Sequence, residues 1–302
     1  MFSYKGICSN PPEITTSGTS RGNHSQLHRK AWLEVADKYH RYGKHLRIYY
    51  RHWESLGWPT NDFFQWLDSE GEASGQPKPD LEECPRSELD SDTVLYITDK
   101  DATSAYELQF QVDGHGRSRV RDMDGLPIAT GPDGWIFVLR DHKIYGAPKI
   151  TSVRGKSKQR FHHSSFFGGK AVAAAGILIT DEQGHLTKLY PHSGHYRPGE
   201  AEMQRVLFYL ENQAVDLSTI QVDMQQLVHI NREQSQSKKK KTSSLYLLPG
   251  NTVAAYLAHE AHFIDSGIFD QIHEFEGHFG VRQTLNVIDN GGYWQGFAPL
   301  FI

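Results

Sequence analysis

Residues 171–190 read AVAAAGILITDEQGHLTKLY, two apolar runs joined by the polar turn Asp181–His185. Bounded runs of this length are strands, and Gln183-Gly184 supplies the positive φ that a tight reversal needs. The pair predicts an antiparallel hairpin, Ala171–Thr180 against Leu186–Tyr190. Upstream, the same strand-like pattern marks Thr93–Thr98, Ala105–Val112 and Trp135–Leu139, with turn dipeptides Asp113-Gly114 and Asp133-Gly134 between them. Short connections between such runs imply an antiparallel meander. Downstream, Met203, Val206, Leu207 and Leu210 share one face of a helix predicted over about 200–212, which should cap the sheet.

Toward the N-terminus the period becomes helical. Trp32, Val35, Tyr39, Tyr42, Leu46, Tyr49 and Trp53 follow at alternating steps of three and four, which places them on one stripe. Gly43 interrupts the pattern, so two helices joined near Tyr42-Gly43 are an alternative to one. A short helix is expected from Asp62 to Leu67, and the Ser69–Asp80 stretch reads as a surface loop. The expectation is an α+β fold: an antiparallel sheet packed by the N-terminal helical segment and the 200–212 helix, with further C-terminal helices. Residues 1–27 have few aliphatics and read as a disordered leader, 28–230 as a single domain, 231–244 as a polar lysine-rich linker, and 245–302 as a helical extension.

Composition narrows the function classes. The 302 residues carry a formal net charge of −4, which argues against a general nucleic-acid binder. Cys8 and Cys84 alone supply no disulfide framework, and no apolar run is long enough to span a bilayer. A reducing compartment, cytoplasmic or nuclear, is the expectation. The Lys238–Lys241 run reads as a solvated linker, with nuclear import as its alternative.

Seven blocks of sequence, in order, carry a resemblance over about residues 32–223: Arg41-Tyr42-Gly43, Phe64–Asp68, Cys84–Ser87, Trp135–Val138, His163–Phe166 with Gly168-Gly169, Ala173–Gly176, and Ser193–Tyr196. The chain resembles the plant and fungal IQ-motif calmodulin-binding proteins. That resemblance implies calmodulin as a partner and an adaptor role in signalling or stress response. The Ile-Gln motif that names the family is not present in this chain.

Two groups of residues are candidates for function. The first is the basic, aromatic helix, where Trp32, Tyr39, Arg41, Lys44, Leu46, Arg47 and Trp53 would contact calmodulin, whose acidic groove accepts such helices. The competing expectation is that the stripe packs on the sheet. The second is a pair of polar clusters at the two ends of the hairpin. His163, Ser164, Ser165, Gly168 and Gly169 come from one, and Ser193, Gly194, His195, Tyr196 and Arg197 from the other. An antiparallel hairpin brings its ends together, so the clusters should converge at the N-terminus of the 200–212 helix and favour an anionic small molecule. A nucleotide- or NAD-using transferase, in the manner of ADP-ribosyltransferases, is the alternative function. Neither the cofactor nor a catalytic residue is assigned. No metal site is assigned either, because His259/His262 and His273/His278 are spaced three and five apart, where the common helical zinc motif needs four.

Overall fold

Gly43, expected as a weak point inside one helix or at the join of two, starts the second of two helices. The computed structural model describes residues 31–68, 77–151, 158–223 and 247–258. The 1–27 leader, the 231–244 segment and the histidines from His259 to His278 lie outside them. Helix α1 (Trp32–Ala36) stops at Asp37, and α2 (Gly43–Ser55) begins after Tyr42, whose ψ of 121° is not helical. The single seven-residue stripe is therefore broken. Leu33 is buried where Trp32 is only half-buried, and Tyr39 is 54% exposed.

The break is set by Arg41, which is 1% exposed and surrounded by acids. Its Nε donates to Asp37 Oδ2 at 2.7 Å, its Nη2 to Asp68 Oδ2 at 2.7 Å, and its Nη1 to Asp90 Oδ1 at 3.2 Å. These partners lie after α1, at the end of α3 (Phe63–Asp68) and in α4 (Arg86–Ser91). Burial opposes the Arg41 charge, but Asp37 and Asp68 outweigh it and keep the guanidinium protonated. Around this network Leu33, Leu46, Tyr49, Tyr50, Trp53, Phe63, Leu67 and Leu89 form a helical core. Each such side chain contributes about 1.5–3 kcal/mol when fully buried. Most of the α2 stripe thus lies in a core shared with residues of α1, α3 and α4.

The chain forms two compact units, interleaved along the sequence. The first draws on Met1–Ala105, Ala147–Val172 and Gly194–Tyr196, the second on the segments between and after these. The first also holds β1 (Asp92–Val94) paired parallel to β6 (Lys158–Arg160), and α5 (Lys100–Ser104). Only Thr93 and Val94 of the expected strand Thr93–Thr98 are in β1.

The second unit is an eight-stranded, mostly antiparallel sheet. It contains β2 (Glu107–Val112), β3 (Ser118–Arg121), β4 (Trp135–Arg140), β5 (Lys143–Pro148), β7 (Ala174–Thr180), β8 (Leu186–Tyr190), β9 (Gln221–Asp223) and β10 (Leu247–Pro249), in the order β10-β9-β8-β7-β4-β5-β2-β3. The β7–β8 hairpin pairs Leu178 with Leu189, and only β8–β9 runs parallel among the pairs with a described register in this sheet. The sheet curls until β3 meets the turn before β8, where the Val120 N–H donates to Gly184 O at 2.8 Å. Gly184 has φ +83°, and a Cβ there would lie 2.9 Å from Pro127 Cβ. Helix α6 (Glu200–Asn212) buries the expected Met203, Val206, Leu207 and Leu210 in the sheet's core. Leu248, Val253 and Leu257, from β10 and α7 (Gly250–Ala258), join that core, so this part of the expected extension belongs to the sheet unit.

Truncating one member of a buried ion-pair network leaves the others desolvated and unpaired. Arg41→Ala should therefore lower stability by about 3–5 kcal/mol in denaturant unfolding. Burial raises the Asp68 pKa, but Arg41 and Arg86 outweigh it, so the folded value is depressed. Asp68 then stabilises the fold fully above its unfolded pKa of about 3.9 and progressively less as pH falls through the folded value. Asp68→Asn should flatten the acid limb of the stability–pH curve below about pH 4.

Candidate functional site

Glu34 is a carboxylate on a short helix that ends up 1% exposed. Four donors surround it within the first unit. Tyr96 Oη donates to Glu34 Oε1 at 2.7 Å, Ser164 Oγ at 3.3 Å, and His195 Nε2 lies 3.4 Å from the same oxygen. The Gly43 N–H donates to Oε2 at 3.1 Å. That N–H opens α2 and has no partner inside the helix, so Glu34 answers both an orphan donor and the positive helix end. A Cβ on Gly43 would sit 3.2 Å from Glu34 Oε2, which explains the glycine.

Two histidines meet here. The His162 and His195 rings are 5.2 Å apart, and Tyr42 lies 5.9 Å from His162 on its other contact. Arg160 stacks over the Tyr42 ring at 3.8 Å and forms a two-armed pair with buried Asp92, both contacts 2.7 Å. Burial would raise the Glu34 pKa, yet hydrogen bonds from His195 and Tyr96 outweigh it and hold the carboxyl at about 2. Burial, helped by the neighbouring His195, lowers His162 to about 4, while Glu34 pulls the other way. Burial and the Glu34 charge push the Tyr96 phenol well above its ordinary value. At neutral pH the site therefore holds an ionised carboxylate, a neutral imidazole and a neutral phenol.

The expected site residues separate into several groups. His195 faces Glu34, Ser164 donates to it, and His163 and Gly194 line the same cavity of about 250 Å³. Ser165 is structural: its Oγ accepts from the His162 N–H at 2.9 Å, and its carbonyl accepts from Ile97. Tyr196 is buried and donates to Lys170 O at 2.8 Å. The Arg197 N–H closes a turn on Ser193 O, and Arg197 itself is exposed. The 163–169 stretch is a 3₁₀ segment kinked at Phe167 and Gly168, whose φ values are 56° and 60°. Among the calmodulin candidates, Arg41, Leu46 and Trp53 are buried, Trp32 and Arg47 half-buried, and Tyr39 and Lys44 exposed.

Sequence reasoning missed Glu34, Tyr96, His162 and Arg160 as members of this site. Glu34 counted only as an acid in a basic helix, and nothing in its spacing announces that the chain folds back over it. Glu34, His162 and His195 each offer a metal-ligand atom, all within 4.8 Å of one another, a cluster of suitable type that sequence spacing did not suggest. Glu34 Oε1 already faces Tyr96, Ser164 and His195, and Oε2 accepts from the Gly43 N–H.

Residues 104–203 match the family model described as the IQ motif-containing protein middle domain. The chain carries this family's middle domain. Among similar proteins of Arabidopsis thaliana, IQ domain-containing protein IQM3 is 36% identical over 198 residues, covering 63% of this chain and 39% of its own length. IQ domain-containing protein IQM2 is 34% identical over 209 residues, covering 68% of this chain and 32% of its own. IQ domain-containing protein IQM5 is 32% identical over 199 residues, covering 66% and 37%. The chain thus spans about a third of the length of these curated relatives. No solved structure matches it. The matched segment of this chain includes His162, Ser164 and His195, while Glu34 and Tyr96 lie before its first residue, 104.

Glu34→Ala should destabilise the protein by about 3 kcal/mol, because it strands the Tyr96 hydroxyl and the Gly43 N–H. Tyr96→Phe should cost about 1 kcal/mol, leaving the carboxylate its other donors. Because the folded His162 pKa is depressed, the unfolded chain binds its proton first, and this histidine withdraws stability as pH falls from about 6.5 toward 4. In an NMR titration its ring should show no inflection between about pH 5 and 8, the range where an unperturbed histidine titrates.

Proposed function

We propose that this chain acts as an interaction protein in signalling, with calmodulin as its partner, and that the contact uses the exposed basic face of α2 rather than its apolar stripe. The support is its membership of the IQ motif-containing group through the middle domain, together with the burial of the α2 anchors. Leu46, Tyr49 and Trp53 are each 0% exposed, so the folded protein has no bulky anchors there to insert into a partner's groove. What α2 does present is charge, with Lys44 and Arg51 exposed. A contact built on rim charge steers association and is weakened by salt, but adds little affinity.

Isothermal titration of the 302-residue protein with calmodulin, with and without calcium, tests this. The expected dissociation constant is on the order of micromolar and rises steeply with salt. Arg51→Glu should weaken it further, and a free peptide of residues 29–53 should bind at least about tenfold tighter, since its anchors are no longer held in a core. Salt-insensitive nanomolar binding by the intact protein would show that α2 leaves its core, and no binding at all would remove calmodulin as the partner.

A further inference from the structure

Three separate stretches of the first unit bring Glu34, His162 and His195 together, and one ligand atom of each lies within 4.8 Å of the other two. His195 Nε2 stands 3.4 Å from Glu34 Oε1, beyond the roughly 2.7–3.2 Å of an N–H···O hydrogen bond. It matches the edge of a zinc tetrahedron instead. Bonds of about 2.0–2.1 Å at the tetrahedral angle put neighbouring ligand atoms about 3.4 Å apart. The widest of the three separations reaches that edge with a shift of at most about 1.5 Å, a side-chain adjustment of the kind that accompanies binding. At neutral pH carboxylates are ionised and imidazoles mostly neutral, the forms that ligate.

We propose that Glu34 Oε1, His195 Nε2 and one ring nitrogen of His162 bind a single zinc ion. Two imidazoles with one carboxylate suit zinc, whereas Mg²⁺ and Ca²⁺ take oxygen ligands. The hydrogen bonds around Glu34 support the site, because a ligating carboxylate is normally held by further donors. Tyr96 Oη, at 2.7 Å from Oε1, and the Gly43 N–H, at 3.1 Å from Oε2, hold this one. Oε1 keeps Tyr96 on one lone pair and turns the other to the ion, in place of the longer contacts with His195 and Ser164. Among the nearby cations, Arg160 is paired with Asp92, and Lys44 and Lys149 are exposed, where solvent and salt screen them. Three protein ligands leave a fourth tetrahedral position, the pattern of zinc sites that exchange a water or a small ligand. The cavity of about 250 Å³ that all three residues line has room for one.

The test is titration of the full chain, first stripped with a chelator, with Zn²⁺, Co²⁺, Mg²⁺ and Ca²⁺ in separate experiments. The tightest Zn²⁺ site should fill at one ion per chain and raise the melting temperature, while Mg²⁺ and Ca²⁺ leave it unchanged. Glu34→Gln, which keeps a carbonyl for Tyr96, and His195→Ala should each weaken zinc binding at least about tenfold. Replacing His273 and His278 together by Ala should leave it unaffected. The unsubstituted chain gives a reading that does not depend on any variant folding: bound Co²⁺ should broaden the ring NMR signals of His162 and His195 before those of the other histidines. The proposal is overturned if no Zn²⁺ binds at one per chain, if Mg²⁺ or Ca²⁺ binds as tightly, or if binding is undiminished in both Glu34→Gln and His195→Ala. It is equally overturned if loss of His273 and His278 removes the ion, or if Co²⁺ broadens other histidine rings and spares these two.

Discussion

A buried guanidinium has to be met by carboxylates, and Arg41 imposes that requirement on the whole helical unit. Its donors reach Asp37, Asp68 and Asp90, residues contributed by the end of α1, by α3 and by α4. The Arg41 backbone N–H also donates to Asp37 Oδ2 at 2.9 Å, which ties the chain back on itself between the two helices. In a continuous helix through residues 37–42 the Arg41 N–H would donate to the Asp37 carbonyl instead, so its bond to the Asp37 carboxylate requires the break. The break between α1 and α2 is therefore the geometry in which this charge is satisfied. It also has a positional effect, because it brings Glu34, one turn before Asp37, against the first N–H of α2.

Glu34 then carries two duties. As a structural group it caps a helix and anchors Tyr96 and Ser164. As a chemical group it orients His195. The hydrogen bonds that keep it ionised while buried also tie it to Tyr96 and Ser164, so the stability of the unit and the electrostatics of its cavity rest on one carboxylate.

Much of the sheet could be read from the sequence, and the reasons are local. The β7–β8 hairpin is written in alternating apolar runs and a Gly184 turn, and α6 in its Met203–Leu210 face. The β4–β5 hairpin left no such trace: Asp141 and His142 occupy positive φ, 51° and 59°, without a glycine to signal the reversal. β9 and β10 are three residues each and are specified by the strands beside them rather than by their own pattern. In the helical unit, spacing proposed a face that includes Tyr39, but the Arg41 network overrode periodicity. The polar clusters announced His195 and Ser164 as candidates because both sit near hairpin ends. Glu34 and Tyr96 were illegible, since they are separated from His195 by about 160 and 100 residues and only tertiary folding introduces them.

The interleaving of the two units carries a consequence for how this polypeptide can be cut. The chain passes from one unit to the other after Ala105, Gly146, Val172, Ser193 and Tyr196. No uninterrupted stretch contains either unit, and the 104–203 segment recognised as the family's middle domain takes portions of both. Expressed by itself, that segment would lack α1 and α2 from one core and β9, β10 and α7 from the other, leaving each with exposed apolar faces. The unit of inheritance recognised in the sequence is thus smaller than the unit of folding. Because contacts in each core join segments distant along the chain, assembly must close long loops before packing rewards them, which makes slow, late-committing folding the expected kinetics.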